Sequence, residues 1–311
     1  MNDFLGFGKS TNKLIDAVTR ALGAAYRPYG IRREADAEVY RVDVLESAKT
    51  DAKSRNIVET AKAKAEAEFI LAEGKQALES RLQARLQHEA LHQQKNIERI
   101  VTGALDQAQP ESTDDDVDED WLTGFFQHAR NVSSAEMQAL WSRVLALEVG
   151  IPGTFSTRAL DVLRKMTRRE AASFQAACCL ASGYSETPTR ARILCGAIRY
   201  NWLSVSQAPE LELGEFGLPF LSRMNLAKIG LMYEEELVSG PIKKHEDLTL
   251  HFASTQLKLR ALHNGVKFNS YSLTPIGTEL SVLVIPEENS EYISSLRISL
   301  SKLFHVSNPN G

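Results

Sequence analysis

Near the start of the chain, apolar residues recur at helical spacing. Across residues 10–27, Leu14, Val18 and Leu22 recur at helical intervals between Lys and Arg side chains, and Pro28 then ends the pattern. A basic amphipathic helix of this kind can dock on protein or lie on an anionic membrane. We expect docking on protein, because the segment has small apolar side chains and no tryptophan.

The next segment, residues 31–108, has the composition of a long solvated helix. It contains no proline, glycine only at positions 74 and 103, and many Ala, Glu, Lys, Arg, Gln and Leu residues. It predicts either one long helix or a coiled-coil-like helical hairpin broken near Gly74. Its thin apolar stripe indicates self-association, because such a helix usually acquires a partner. The stripe residues predicted to mediate it are Leu82, Leu86, Ile97 and Ile100.

Residues 109–120 form an acidic linker that includes the run PESTDDDVDED. Clustered like charges repel one another and stay solvated. We therefore expect a hinge here, with the residue 1–30 helix and the 31–108 association region on its N-terminal side.

Residues 121–200 carry start and stop signals for four short helices. Ser133 with Glu136, and Thr167 with Glu170, have the spacing of a capping box, in which the first side chain caps the helix and the glutamate reaches back. Ser156 is a third candidate cap, for the helix RALDVLRKM. Together the four helices predict a compact helical domain.

Residues 201–311 change character. A helix, LPFLSRMNLAKIG, precedes the alternating strand DLTLHFAS, and LKLRAL, HNG and VKFNSYSLT read as a β-hairpin. A short helix from Pro275 and a last amphipathic helix close the chain. This order predicts a winged-helix-like α+β module, and the whole chain is expected to be mainly α.

Composition narrows the function classes. The net charge is −4 and the pI is about 6.0, which is not the basic excess of a protein that coats nucleic acid. The three cysteines include no CxxC pair, so neither a disulfide framework nor a cysteine zinc site is indicated. With no long apolar run, the chain is expected to be cytoplasmic.

The motif HEALH, residues 88–92, matches the HExxH pattern of zinc metalloproteases, in which two histidines hold the metal and the glutamate activates water. At about 100° per residue, His88 and His92 lie about 200° and 240° from Leu86, away from the apolar stripe. A catalytic zinc also needs a third ligand and a shaped cavity. The two histidines are therefore weak metal candidates, and a zinc hydrolase is the third-ranked hypothesis.

Nucleic-acid binding is the second-ranked hypothesis. In a winged helix, SRMNLAKIG would be the recognition helix, and Arg223, Asn225 and Lys228 would face the duplex. Clustered Lys and Arg side chains are what phosphate contacts require, and here the positive charges are few.

Several segments resemble one bacterial family. The runs KLIDAVTRALGAAYRPYGIRREADAE, QKNIERI, DEDWLTGFFQHARNVSSAEMQALWSRVLALEVGIPGTFSTRALDVLRKM and YSLTPIGTEL resemble domain of unknown function 2806. The N-terminal and middle parts are also similar to abortive-infection alpha proteins. The likeness to abortive-infection proteins implies a role in stress or phage defence, and the resemblance to the family supplies no catalytic motif.

The leading hypothesis is thus a non-enzymatic protein that self-associates and acts as a sensor, adaptor or effector in antiviral defence. Its expected partners are a second copy of itself and a phage or host protein. No cofactor is expected. DNA binding and peripheral membrane contact remain alternatives.

Overall fold

The computed structural model describes residues 9–22, 59–108, 113, 115–184, 187–200, 205–285 and 287–307. The chain forms two compact units, Met1–Pro152 and Gly153–Gly311. The domain boundaries predicted from the sequence, at residues 120 and 200, remain predictions. Residues 23–58, which include parts of the predicted 1–30 helix and 31–108 region, lie outside the described residues.

The described part of the first unit is helical. Its elements are α1 (Lys9–Leu22), α2 (Glu59–Asp106), α3 (Glu119–Ala129) and α4 (Ala135–Gly150). With 48 residues, α2 is about 72 Å long at the rise of an α-helix. It passes through Gly74 without interruption, so of the two predicted alternatives the helical hairpin broken near Gly74 is wrong. A glycine lowers helix propensity by about 1 kcal/mol, which a long helix tolerates.

The core of the first unit joins α1, α3 and α4 to the end of α2. The rings of Trp121 and Phe125 stack, and the rings of Phe125 and Trp141 meet at 53°, with centroids 5.2 Å apart in each pair. From α1, Leu14 and Val18 are fully buried. The apolar face of α1 therefore packs on protein, and only its polar side is exposed.

The described residues of the acidic linker pack against α1. Lys13 Nζ donates hydrogen bonds to the carbonyls of Thr113 and Asp115, and Arg20 forms an exposed ion pair with Asp116 at 3.4 Å. Val117 is buried. The last part of the linker is thus tied to the first unit by the Lys13 hydrogen bonds, one ion pair and the buried Val117 side chain.

The second unit combines helices with one sheet. Its helices are α5 (Thr157–Lys165), α6 (Arg168–Leu180), α7 (Phe220–Lys228), α8 (Pro275–Ser281) and α9 (Ser290–Leu300). Its strands are β1 (Ser182–Tyr184), β2 (Thr187–Tyr200), β3 (Val205–Gln207), β4 (Leu237–Val238), β5 (Asp247–His251), β6 (Gln256–Ala261), β7 (Val266–Ser272) and β8 (Phe304–Ser307).

The expectation of a mainly α chain is wrong. All eight strands pair antiparallel in one sheet, in the order β4-β7-β2-β1-β5-β6-β8, with β3 on β2. The fold is therefore α+β. Strand β2 runs through the end of the predicted 121–200 helical domain, and its central residues are buried on both faces. A strand buried on both faces lacks the polar–apolar alternation by which a strand is predicted from sequence.

A C-terminal module with strands was expected, but the winged-helix outline is wrong. The predicted hairpin of β6 and β7 does not form, because β6 pairs with β5 and β8 while β7 pairs with β2 and β4. The turn between them, with Gly265 at φ 77°, redirects the chain to another part of the sheet.

Several helix boundaries follow the predicted caps. The capping box of Thr167 and Glu170 starts α6, and Ser156 caps α5, as expected. For α4 the predicted box is one residue out of place. Ser134, rather than Ser133, is the cap, and its side chain accepts from the Met137 N–H. Neighbouring serines offer two almost equivalent caps, and packing of α4 selects between them.

Candidate self-association surface

Helix α2 has a docked end and an exposed segment. Residues 96, 97, 100, 101 and 104 are buried in the first unit, where α2 packs on α4 and α3. Residues 74–92, the exposed segment of α2, are all exposed. The change follows the composition from Gly74 onward, because within residues 74–106 apolar residues are densest near the C-terminal end of the helix.

Three leucines form a stripe on the exposed segment. Leu78, Leu82 and Leu86 are 61%, 44% and 53% exposed and recur every four residues. At 100° per residue, Leu78 and Leu86 lie about 40° on either side of Leu82. Leu91, which is 56% exposed, lies on the opposite side, about 180° from Leu82. Large side chains aligned on one face of a polar helix indicate a contact surface.

The four predicted self-association residues separate into two pairs. Leu82 and Leu86 lie in the exposed leucine stripe. Ile97 and Ile100 are 7% and 0% exposed and belong to the core of the first unit. The sequence alone showed one continuous stripe, because a helix carries the same pattern whether its partner is α4 or another chain.

A buried polar network holds the docked end of α2. Asn96 Nδ2 donates to the Arg130 carbonyl at 2.9 Å, and Asn96 Oδ1 accepts from Gln138 Nε2 at 3.1 Å. One turn further on, Ser142 Oγ donates to the Ile100 carbonyl at 2.8 Å. These bonds fix the axial position of α2 on α4, because buried polar groups must keep their partners.

The HEALH motif lies on the exposed segment. His88, Glu89 and His92 are all exposed, and the two imidazole rings stack with centroids 6.4 Å apart. His92 Nδ1 is 3.4 Å from Asn96 Nδ2. Among the described residues, no group of three His, Cys, Asp or Glu side chains is arranged to hold a metal. The motif therefore lacks a third ligand within that part of the chain.

The three predicted DNA-contact residues lie on α7, in different environments. Lys228 is exposed and Asn225 is half-buried. Arg223 folds back onto its own unit: its guanidinium carbon lies 4.8 Å from the Tyr271 ring centroid, and Nη1 donates to the Leu218 carbonyl. Arg223 is thus engaged by protein, and DNA contact stays a prediction.

Arg223 belongs to a polar cluster that the sequence did not reveal. Burial, followed by the charges of Glu236 and Glu210, raises the pKa of the Cys195 thiol to about 12. The thiol is therefore neutral and poorly nucleophilic. Cys195 occupies a bulge of β2, between the residues that pair with Ser270 and Asn269 of β7.

The pKa values of two other members of this cluster also rise. Burial, followed by the charge of Glu210, raises the pKa of Glu236, and burial raises that of Tyr271. The members come from β2, α7, β7 and the loop before β4, so no sequence spacing could bring them together. Because Arg223 is held against the Tyr271 ring, we regard the cluster as a structural contact.

No helix in the described part of the chain is long and apolar enough to cross a membrane.

Comparison with known proteins gives one match. The sequence profile of a family described as "Protein of unknown function (DUF2806)" matches residues 80–297. No curated protein and no solved structure matches the chain. The matched region begins within the exposed segment of α2 and covers all of α3 to α8.

Proposed function

The chain belongs to the DUF2806 family, whose description assigns no activity, and we propose that it works by self-association through the exposed segment of α2. The observation that supports this is the stripe of Leu78, Leu82 and Leu86, which no described residue covers. Burying a leucine side chain stabilises a complex by about 1.5–3 kcal/mol. Two copies that pair these stripes would remove six leucines from water.

The charges flanking the stripe favour an antiparallel pair. A two-fold axis beside Leu82 sets Leu78 of one copy level with Leu86 of the other, and Lys75 level with Glu89. Lys75 and Glu89 each lie about 20° from the centre of the stripe, so opposite charges meet at both ends. A parallel, in-register pair would instead oppose Lys75 to Lys75 and Glu89 to Glu89, which costs free energy.

Cysteine cross-linking tests this arrangement. Under mild oxidation, the Leu82→Cys variant is expected to form a covalent dimer, because residue 82 meets its own copy at the two-fold axis. The Leu78→Cys variant is the matched control and is expected not to cross-link, because residue 78 meets residue 86. Cross-linking of both variants would indicate a parallel pair, and cross-linking of neither would contradict the proposal.

We further propose that this assembly acts as a sensor, adaptor or effector in antiviral defence. This proposal rests on the resemblance that the sequence runs of the N-terminal and middle segments suggest to abortive-infection alpha proteins; the family match does not itself include such a role. Phage plaque counts test it in cells that express the native chain or a Leu82→Glu variant. Protection by the native chain alone is expected. Equal plaque numbers with and without the native chain would contradict the defence role.

A further inference from the structure

The last strand, β8, forms one end of the sheet and is hydrogen-bonded along only one side. It pairs with β6 in the register Ala261↔Phe304 and Leu259↔Val306. The Leu262 N–H donates to the Leu303 carbonyl at 3.0 Å, just beyond the end of this pairing. The other side of β8 faces no strand of the sheet.

That bond determines which backbone groups of β8 point outward. In antiparallel pairs, hydrogen-bonded and non-bonded residue pairs alternate. Since Leu262 and Leu303 are bonded, Phe304 and Val306 occupy non-bonded pairs, and their N–H and C=O groups point away from β6. The residue opposite Phe304 agrees with this alternation: the Ala261 N–H points away from β8 and donates to the Glu246 carbonyl, beside β5. Within the described residues, the outward groups of Phe304 and Val306 have no partner.

A cavity of about 350 Å³ lies beside this edge. Its lining residues are Leu262, Arg297, Ile298, Ser301, Phe304, His305 and Val306. Ile298, on α9, is 73% exposed, and Leu262 is 39% exposed. An added strand would place its inward-facing side chains level with Phe304 and Val306. If these side chains are apolar, they cover Ile298.

The charge around the edge is positive. The cavity lining includes Arg297 and no carboxylate. On the outer face of the sheet, His305 and Lys258 are exposed, and Lys302 is exposed just before β8. Arg260, opposite His305, is already paired with Asp247 at 2.7 Å. Lys258 and Lys302 complement acidic side chains on the outer face of an added strand.

We propose that the outer edge of β8 binds an extended peptide segment of a partner protein, in which acidic side chains alternate with apolar ones. The peptide's backbone pairs with Phe304 and Val306 and extends the sheet by one strand. Its apolar side chains enter the cavity beside Ile298, and its acidic side chains lie near His305 and Lys302. Backbone pairing with side-chain pockets at alternate positions is an established mode of peptide recognition.

A second copy of β8 fits this edge less well than an acidic peptide. An edge-to-edge pair of two copies would bring together two edges of the same positive charge, each with the exposed Lys302 and with Arg297 and no carboxylate in the cavity lining. Like charges across neighbouring strands destabilise a sheet. This site and the leucine stripe of α2 are independent, and the failure of one leaves the other standing.

Fluorescence anisotropy with the full chain and three labelled peptides tests the proposal. The peptides alternate Val with Glu, alternate Val with Lys, or carry the Glu and Val residues in scrambled order. The Glu–Val peptide is expected to bind at least about tenfold more tightly than the other two, a difference of about 1.4 kcal/mol. No binding by any peptide up to about 1 mM, the weak end of specific affinity, would overturn the proposal.

Two substitutions locate the binding. Val306→Pro removes the outward N–H without breaking a bond to β6, because proline is tolerated on the open side of an edge strand. It is expected to weaken binding about tenfold or more, whereas Val306→Ala, which keeps the N–H, weakens it less. Unchanged thermal unfolding of Val306→Pro confirms that the sheet persists. Equal binding by the proline variant and the native chain would overturn the assignment to β8.

Charge reversal gives the last test. Lys302→Glu is expected to weaken the Glu–Val peptide several-fold and to strengthen the Lys–Val peptide. Lys228→Glu, an exposed lysine of α7, is the control for net charge and is expected to change neither. Equal effects of the two reversals would show non-specific attraction and overturn the proposal. If the chain dimerises through β8 instead, Val306→Pro would lower its mass in light scattering, which would also overturn it.

Discussion

Gly103 of α2 lies directly against Ser142 of α4, and a methyl group placed on Gly103 would come within 2.5 Å of Ser142 Oγ. The same hydroxyl lies 2.8 Å from the carbonyl oxygens of both Ile100 and Gln138, which share its single hydrogen, so moving it would weaken a buried hydrogen bond. The glycine thus allows α2 and α4 to approach closely at the docked end of the long helix.

Replacing this glycine with alanine is therefore expected to destabilise the first unit. Overpacking in a core typically costs about 1–3 kcal/mol, more than the gain of about 1 kcal/mol in helix propensity. Gly74→Ala is the matched control, because nothing lies within 4 Å of its added methyl group. It is expected to stabilise α2 by up to about 1 kcal/mol. Urea unfolding of both variants measures the difference, and a Gly103→Ala protein as stable as Gly74→Ala would contradict the close approach.

The Asn96 network gives a second stability prediction. Asn96→Ala leaves the Arg130 carbonyl without this donor and removes one of the two acceptors of the buried Gln138 amide, whose Nε2 keeps its bond to the Val132 carbonyl. An unsatisfied buried polar group costs about 1–3 kcal/mol. Gln94→Ala, two residues earlier on the exposed side, is expected to change the free energy of unfolding by less than about 0.5 kcal/mol. Similar losses for both would show that the network does not hold α2 in place.

Glu288 predicts a pH dependence in the second unit. Partial burial raises the pKa of its carboxyl, but hydrogen bonds from the side chains and backbone N–H groups of Thr255 and Ser254 outweigh this and lower it overall. A lowered folded-state pKa contributes stability that is complete above the unfolded pKa and is lost as pH falls through the folded value.

The Glu288→Gln variant is accordingly expected to be less stable than the native chain at pH 7, by about 1 kcal/mol. The difference is expected to shrink as the pH falls below the ordinary glutamate pKa of about 4.3 and through the lowered folded-state pKa of Glu288. Glu235→Gln, an exposed loop residue, serves as the control and should give a constant difference. Thermal unfolding across this pH range measures both, and a pH-independent Glu288→Gln difference would contradict the role of charge.

Sequence signals for local structure predicted this fold better than signals for pairing between distant segments. Local signals succeeded: the capping box at Thr167 and the helix opened by Pro275 are where they were expected. Pairing between distant segments did not follow from local signals. The turn after β6 resembled a hairpin turn, but its two strands pair with different neighbours.

The candidate site divides in the same way. Exposure of Leu82 and Leu86 agrees with the predicted stripe, because the surrounding residues are polar in sequence. Ile97 and Ile100 are buried because α2 packs on α4. The periodicity of apolar residues does not show which helices pack together. The open edge of β8 depends on which strand lies last in the sheet, a property of the fold as a whole.

Charge exchange on α2 tests the antiparallel arrangement. Lys75→Glu alone would place two carboxylates together at each end of the stripe, and Glu89→Lys alone would place two ammonium groups there. Each single variant is expected to weaken dimerisation several-fold, and the double variant to restore it, since paired charges contribute about 0.2–0.5 kcal/mol each. Sedimentation equilibrium at low salt measures the dimer dissociation constants. Additive weakening in the double variant would contradict antiparallel pairing.

The most direct test of self-association through the leucine stripe is the mass of the full chain in solution. Light scattering after size exclusion would compare the native chain with Leu82→Glu and with Leu91→Glu, which lies on the opposite side of α2. We predict a dimer for the native chain and for Leu91→Glu, and a monomer for Leu82→Glu. A native chain that is monomeric at every concentration, or a Leu82→Glu variant that keeps the native mass, would contradict the central claim.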